Sequence, residues 1–161
     1  MINPNLMAQK TNTRHDPIEM LKQDHRNVKD LFKKYRSSKE ESEKDEISRH
    51  IFAELELHTR IEEEIFYPAM ERSGQDKAEK LVAESFVEHS QVKTLIGELR
   101  SLDVADTEFE ARMKVLMENV EHHIEEEENE LFPMAKKEMS SQLEELGSEM
   151  EEIKKDAVIA I

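Results

Sequence analysis

One pattern occurs twice in this chain: Asp24-His25 followed by His58-x-x-x-Glu62, then Glu88-His89 followed by His123-x-x-x-Glu127. The two histidines are 58 − 25 = 33 residues apart in the first copy and 123 − 89 = 34 in the second. The flanks repeat too, with Gln23-Asp24-His25-Arg26-Asn27-Val28-Lys29 set against Val87-Glu88-His89-Ser90-Gln91-Val92-Lys93. Phe66-Tyr67-Pro68 answers Leu131-Phe132-Pro133, each proline ten residues past its histidine (68 − 58 = 133 − 123 = 10). A duplicated helix–loop–helix unit with the same polar residues at corresponding positions predicts one site built from both halves.

The segments that carry the repeat are helical in period. Asp16-Pro17 is a good helix opening, because Asp caps free N–H groups and Pro at the first position loses no bond. A first helix is predicted to about Arg36, with Ile18, Leu21, His25, Val28, Phe32 and Tyr35 in one phase. Ser37 to Lys44 is polar and reads as a loop, with Asp45 capping a second helix to about Arg72. Its inward stripe is Ile51, Leu55, His58, Glu62, Phe66 and Ala69, and Ser73-Gly74 ends it.

A third helix, about Asp76 to Ser101, aligns Val82, Phe86, His89, Val92, Ile96 and Leu99. The fourth, about Thr107 to Met139, aligns Leu116, Val120, His123, Glu127, Leu131 and Met134, the stripe of the second helix displaced by 65 (123 − 58). Pro68 and Pro133 each remove a backbone donor, which predicts kinks just past the site. Leu143, Leu146, Met150 and Ile153 outline a short C-terminal helix before the apolar Ala157 to Ile161, a tail that packs on the bundle, meets a partner or frays.

Only three Gly and four Pro interrupt the chain, and 37% hydrophobic residues supply a core despite 38% charged ones. The expected fold is all-α: an antiparallel up-down four-helix bundle with an internal two-fold helical-hairpin repeat. It spans residues 16–139, between an N-terminal extension, 1–15, and a C-terminal helix or tail, 140–161.

Burying an imidazole or carboxylate without a partner costs roughly 1–3 kcal/mol or more. One inward histidine would be read as an ordinary hydrogen-bonded core residue. Four in equivalent phase, two of them followed one turn later by glutamate, are better explained by a metal that satisfies all six groups together. The predicted ligands are His25, His58, Glu62, His89, His123 and Glu127. Residues four apart share a helical face, about 5–6 Å apart at Cβ, so His-x-x-x-Glu suits a shared ion. His122-x-x-x-Glu126 has the same spacing, but His122 shares its face with Asn119, whereas His123 shares one with Leu116, Val120 and Leu131.

His15 and His50 fall outside the apolar phases and are expected at the surface, as are most glutamates of the runs 62–64 and 125–128. Asp24 and Glu88 are read as exposed carboxylates, with a role behind the ligands as the alternative. Methionines on the stripes read as packing residues. No cysteine is present, which excludes thiolate zinc sites, iron–sulfur clusters and disulfides. Imidazole and carboxylate accept iron, but also zinc, manganese, nickel or cobalt.

A net charge of −15 argues against nucleic-acid or anionic-membrane partners, which reward basic patches. The chain has no run of about 18 apolar residues and no signal-like start, so a cytoplasmic location is expected.

These motifs resemble the hemerythrin HHE cation-binding family over about residues 15 to 139. The resemblance implies two iron ions in a non-haem centre, with His25, His58, His89 and His123 terminal, Glu62 and Glu127 bridging, and an oxo or hydroxo bridge from solvent. Oxygen-carrying hemerythrins have a fifth histidine in an HxxxH pair on the third helix, where this chain has Ser85 and Lys93 flanking His89. Their fourth-helix carboxylate is an Asp five residues after its His; here Glu127 is four after and Glu128 five after.

The resemblance therefore implies binding of, or reaction with, oxygen, peroxide or nitric oxide in an oxidative-stress setting, including peroxide decomposition, rather than simple carriage. The alternative is a non-enzymatic metal-binding or iron- and oxygen-responsive sensor. A ferritin-like oxidase is disfavoured, because no histidine here has Glu three residues before it.

Overall fold

The computed structural model describes residues 16–159, so the N-terminal extension with His15 and the last two residues of the tail lie outside the described residues. Helix α1, Pro17–Ser37, starts as its sequence dictates: the Asp16 carboxylate accepts from the backbone N–H of Ile18 at 3.0 Å and Glu19 at 3.4 Å. Helix α2 is Glu41–Ile61, five residues longer at its start than the Asp45 cap implied. Glu41 and Glu43 in its first turn favour the helix N-terminus electrostatically, so the second half of the charge-rich stretch read as loop is helix and residues 38–40 alone make the connection.

A π-helical turn, Glu62–Phe66, carries α2 into α3, Tyr67–Arg72. Gly74 then takes φ +75°, the left-handed conformation that ends the rod. Helix α4 is Asp76–Arg100 and α5 is Thr107–Glu126. A second π-turn, Glu127–Leu131, leads into α6, Phe132–Glu138. The disturbance expected beyond the site thus begins at it. Proline's missing donor and its ring act on the carbonyl four residues earlier, so the preceding turn widens; Tyr67 N–H bonds Glu62 O and Phe132 N–H bonds Glu127 O, five residues back.

The rods α1, α2–α3, α4 and α5–α6, joined by short connections, make the up-down bundle. Their apolar faces form two clusters. One gathers Val28, Phe32, Leu55, Ile96, Met113 and Leu116; the other gathers Leu21, Ile61, Phe66, Val82, Phe132 and Met150. His25, between Leu21 and Val28, and His58, between Leu55 and Ile61, lie where the two clusters meet. Helix α7, Leu143–Ile159, is longer than the sequence suggested, and Leu146 and Met150 are buried in the second cluster. The C-terminal helix is therefore part of the core around that end of the bundle.

Candidate metal centre

All six predicted ligands are buried and converge, Glu62 having no solvent exposure at all. Glu62 Oε1 lies 2.9 Å from His58 Nε2 and 3.4 Å from His89 Nε2. Glu127 Oε1 lies 2.8 Å from His123 Nε2 and 3.6 Å from His25 Nε2. The donors fall into two groups, His25–His58–Glu127 and Glu62–His89–His123, each with ligand atoms within 4.8 Å of one another. Each glutamate therefore approaches one histidine of either group, an arrangement suited to a shared carboxylate.

The outward nitrogen of each of these four histidines faces another acid. His58 Nδ1 is 3.0 Å from Asp24 Oδ2, and His123 Nδ1 is 3.2 Å from Glu88 Oε1. His89 Nδ1 meets Glu63 Oε2 at 3.3 Å and His25 Nδ1 meets Glu128 Oε1 at 3.3 Å. An imidazole that donates from Nδ1 to a carboxylate keeps its Nε2 lone pair turned inward and more basic, the usual support for a metal-bound histidine. The expectation of exposed carboxylates at Asp24 and Glu88 is overturned: Asp24 is buried and Glu88 half-buried. On a helix the residue before an inward one points sideways, here into the seam with the next helix, where a histidine receives it.

The sequence offered a signal for all four acids, since Asp24 and Glu88 recur before a histidine and Glu63 and Glu128 recur after the ligand glutamate. It offered less for Tyr67. The Tyr67 hydroxyl is 3.2 Å from both His89 Nε2 and His123 Nε2 and donates to Glu127 Oε2 at 3.3 Å. Burial, then the Glu127 and Glu62 charges, push this phenol well above its ordinary range, so it stays protonated. At the corresponding position, 67 + 65 = 132, Phe132 stacks on His25 with ring centroids 5.6 Å apart. One half of the centre faces a hydroxyl and the other a phenyl ring.

Electrostatics follow the packing. Burial opposes charge on His58, but the charge of the nearby Glu62 carboxylate and the Asp24 hydrogen bond outweigh it and push the imidazole up to about 10. His123 is raised well above its ordinary value by Glu127 against the same penalty. Burial would raise the Glu127 carboxyl, yet the His123 imidazole 2.8 Å away holds it well below the usual carboxylate range.

Despite this proximity, His25 Nε2, His58 Nε2, both oxygens of Glu62 and Glu127 Oε1 are buried without a hydrogen bond. Such orphans are costly unless something else satisfies them. A cation about 2.1 Å from each donor holds neighbouring donors roughly 3 Å apart, close to the 2.8–3.6 Å found here. The donor set fits metal ions.

Beside the histidines is a cavity of about 20 Å³, walled on the other side by Val28, Leu55, Thr59, Val92, Val120 and Ile124. That volume suits one water-sized molecule. His50 and His122 are exposed; His122 pairs with Glu126 at 3.0 Å on the surface and points away from the buried layer. Among the described residues no helix is long and apolar enough to cross a membrane.

Comparison with known proteins agrees with this geometry. The family model described as Hemerythrin HHE cation binding domain matches residues 16–135. A crystal structure of a hemerythrin HHE cation binding domain-containing protein from Mycobacterium kansasii is similar with a TM-score of 0.76 and 26% identity, covering 90% of this chain and 89% of that one. A Nostoc protein named DNA nickase is 28% identical over 77% of this chain, and a Schizosaccharomyces pombe hemerythrin-like protein 25% identical over 74%. The chain spans 34% of the former's length and 59% of the latter's. An uncharacterised Mycobacterium tuberculosis protein is 28% identical over 82% of this chain and 81% of its own length.

Proposed function

Because the chain belongs to the hemerythrin HHE cation-binding domain family, we propose that it is a non-haem di-iron protein. Its ligand is oxygen, peroxide or nitric oxide, bound or reacted at a centre of His25, His58, Glu62, His89, His123 and Glu127. The observation that carries the reading is the pair of two-histidine groups joined by two glutamates, each glutamate within 3.6 Å of a histidine from both.

Iron bound there would supply one-electron redox change and coordination positions for a small ligand. The chain's own residues do the rest. The apolar wall of Val28, Leu55, Val92, Val120 and Ile124 keeps bulk water from the histidines and leaves space for a very small molecule. Tyr67 holds a proton on its hydroxyl within 3.3 Å of Glu127 Oε2, where it can orient or lend that proton to a ligand in the His89–His123 half. Neither position four residues from His89 carries the carriers' extra histidine: one is Ser85, and the other, Lys93, turns outward to Glu63 at 2.7 Å. Each half therefore offers two imidazoles, which favours reactivity over reversible carriage.

The test is the visible spectrum and metal content of protein loaded with iron, followed by addition of peroxide or nitric oxide. Two irons per chain with a ferric charge-transfer band that responds to the ligand supports the proposal. Protein that stays colourless and iron-free after reconstitution removes it.

A metal-responsive sensor is the second reading, favoured by one observation: the ligands come from all four rods, so ion binding ties the bundle together. Binding to the native state alone raises stability by linkage. A large iron-dependent rise in Tm with no peroxide turnover favours this reading over the first.

A further inference from the structure

The two halves of the centre are supported differently at their outer edge. In the His25–His58 half, Lys154 Nζ of α7 is 2.6 Å from Asp24 Oδ1, and the other oxygen of Asp24 faces His58 Nδ1 at 3.0 Å. Asp24 is buried and the Lys154 side chain is 31% exposed, so this ion pair is largely shielded from solvent. Its counterpart beside His123 is Glu88, and among the described residues no lysine or arginine pairs with it. Glu88 instead lies near His122 and Glu126.

Lys154 is also held in place. It follows Ile153, which packs against the cluster that buries Leu146 and Met150, so α7 is docked along the turn that presents the lysine. A carboxylate gripped at one oxygen by an ammonium has its second oxygen aimed in a fixed direction. Here that direction is His58 Nδ1, and a fixed Nδ1 partner fixes the ring plane and the heading of Nε2.

We propose that Lys154 is a positioning residue for one of the two cation positions. It orients Asp24, Asp24 orients His58, and the C-terminal helix thereby sets how tightly the ion of the His25–His58–Glu127 group is kept. The ion of the Glu62–His89–His123 group does not depend on it. The inference rests on the proposed two-metal reading and adds to it an inequality between the positions.

The experiment uses the full chain loaded with Co²⁺, with chelator-driven release followed by visible absorption and metal analysis. Outer hydrogen-bond partners of metal-bound histidines typically change affinity 10–100-fold. Lys154 acts one link further out, so Lys154→Met should speed one of two release phases by roughly tenfold and leave the other within about twofold. Lys154→Arg, which keeps the charge and a donor, should restore the parent rate. The acceleration should persist in a His89→Ala background and vanish in a His25→Ala background.

Equal acceleration of both phases marks general loosening of the bundle and overturns the proposal, as does a Lys154→Met protein that releases cobalt like the parent. Acceleration that survives His25→Ala overturns it as well. A parent chain that takes up no cobalt or iron removes the two-metal reading itself, whereas a parent that binds two ions with Lys154→Met unaltered removes only the role of Lys154.

Discussion

Asp24 and His58 meet across the α1–α2 seam with Oδ2 and Nδ1 3.0 Å apart, both side chains more than nine-tenths buried. Neither the contact nor the burial of Asp24 was dictated by the phase of a single helix. The pair ties a predicted ligand on α2 to the helix that supplies His25, so it links orientation of one donor to placement of another.

Asp24→Ala should weaken metal binding by about 10–100-fold, the range for removing a carboxylate behind a metal-bound imidazole. Glu88→Ala, which removes a longer contact at a half-buried site, should fall at the lower end. Competition with a chelator of known affinity measures both, and two variants indistinguishable from the parent would refute the supporting role assigned to these acids.

Glu127→Ala takes away the carboxylate that approaches His25 and His123 together. Bound metal should drop from two ions per chain to one or none, as read by elemental analysis after desalting. Retention of two ions would show that this glutamate is not shared.

Tyr67→Phe makes the two halves alike, each with a phenyl ring over its histidines. Metal content should be unchanged, while the reaction with peroxide slows by roughly a hundred- to a thousandfold, the span seen when one positioned hydrogen-bond donor is lost. Stopped-flow spectroscopy of the iron-loaded variant checks it; an unaltered rate would leave Tyr67 a packing residue.

The pH dependence has a defined sign. His58 has an ordinary value of 6.5 and is pushed up to about 10 in the folded chain, despite a burial penalty, by Glu62 and Asp24. A folded value above the unfolded one gives stability that is complete below about pH 6.5 and is lost as pH rises towards about 10. Chelator-treated protein should therefore show a falling Tm across that interval. With metal bound the imidazole proton is already displaced, so the iron-loaded protein should lack that slope. Parallel melting curves at several pH values decide it.

Met150→Ala should cost about 2–5 kcal/mol, since it empties a fully buried position in the cluster shared by α7, α1 and the two π-turns. Urea unfolding with the metal stripped gives the number. A loss well under about 1 kcal/mol would mean that α7 is only loosely docked.

The ligand set was legible because polarity on an apolar stripe is conspicuous: His25 interrupts Leu21 and Val28, and His123 interrupts Val120 and Leu131. The choice of His123 over its neighbour followed from phase alone, and the structure buries the one and exposes the other. Asp24, Glu63, Glu88 and Glu128 were not legible in this way. They point into seams between helices, and what a seam residue meets depends on interhelical rotation, which single-helix periodicity does not encode.

Tyr67 was hidden for another reason. It lies nine residues after His58, out of step with a regular 3.6-residue period, and only the π-turn swings it inward. Asp45 resembles a helix cap, but the helix-forming run before it carries α2 back to Glu41.

The paired π-turns have a consequence for how the two copies can diverge. Each holds one residue more than an α-turn of the same span, and each residue corresponds to about 100° of rotation. Both turns therefore act as shims that set the azimuth of Tyr67 and Phe132. Relaxing either to regular α geometry with no residue lost would keep the ligand glutamate in register and swing the aromatic ring about 100° out of the site. A substitution at position 67 or 132 alters what the ring is; loss of the widened turn alters whether it arrives. The identity of the group over each metal position can thus vary independently of the six donors beneath it.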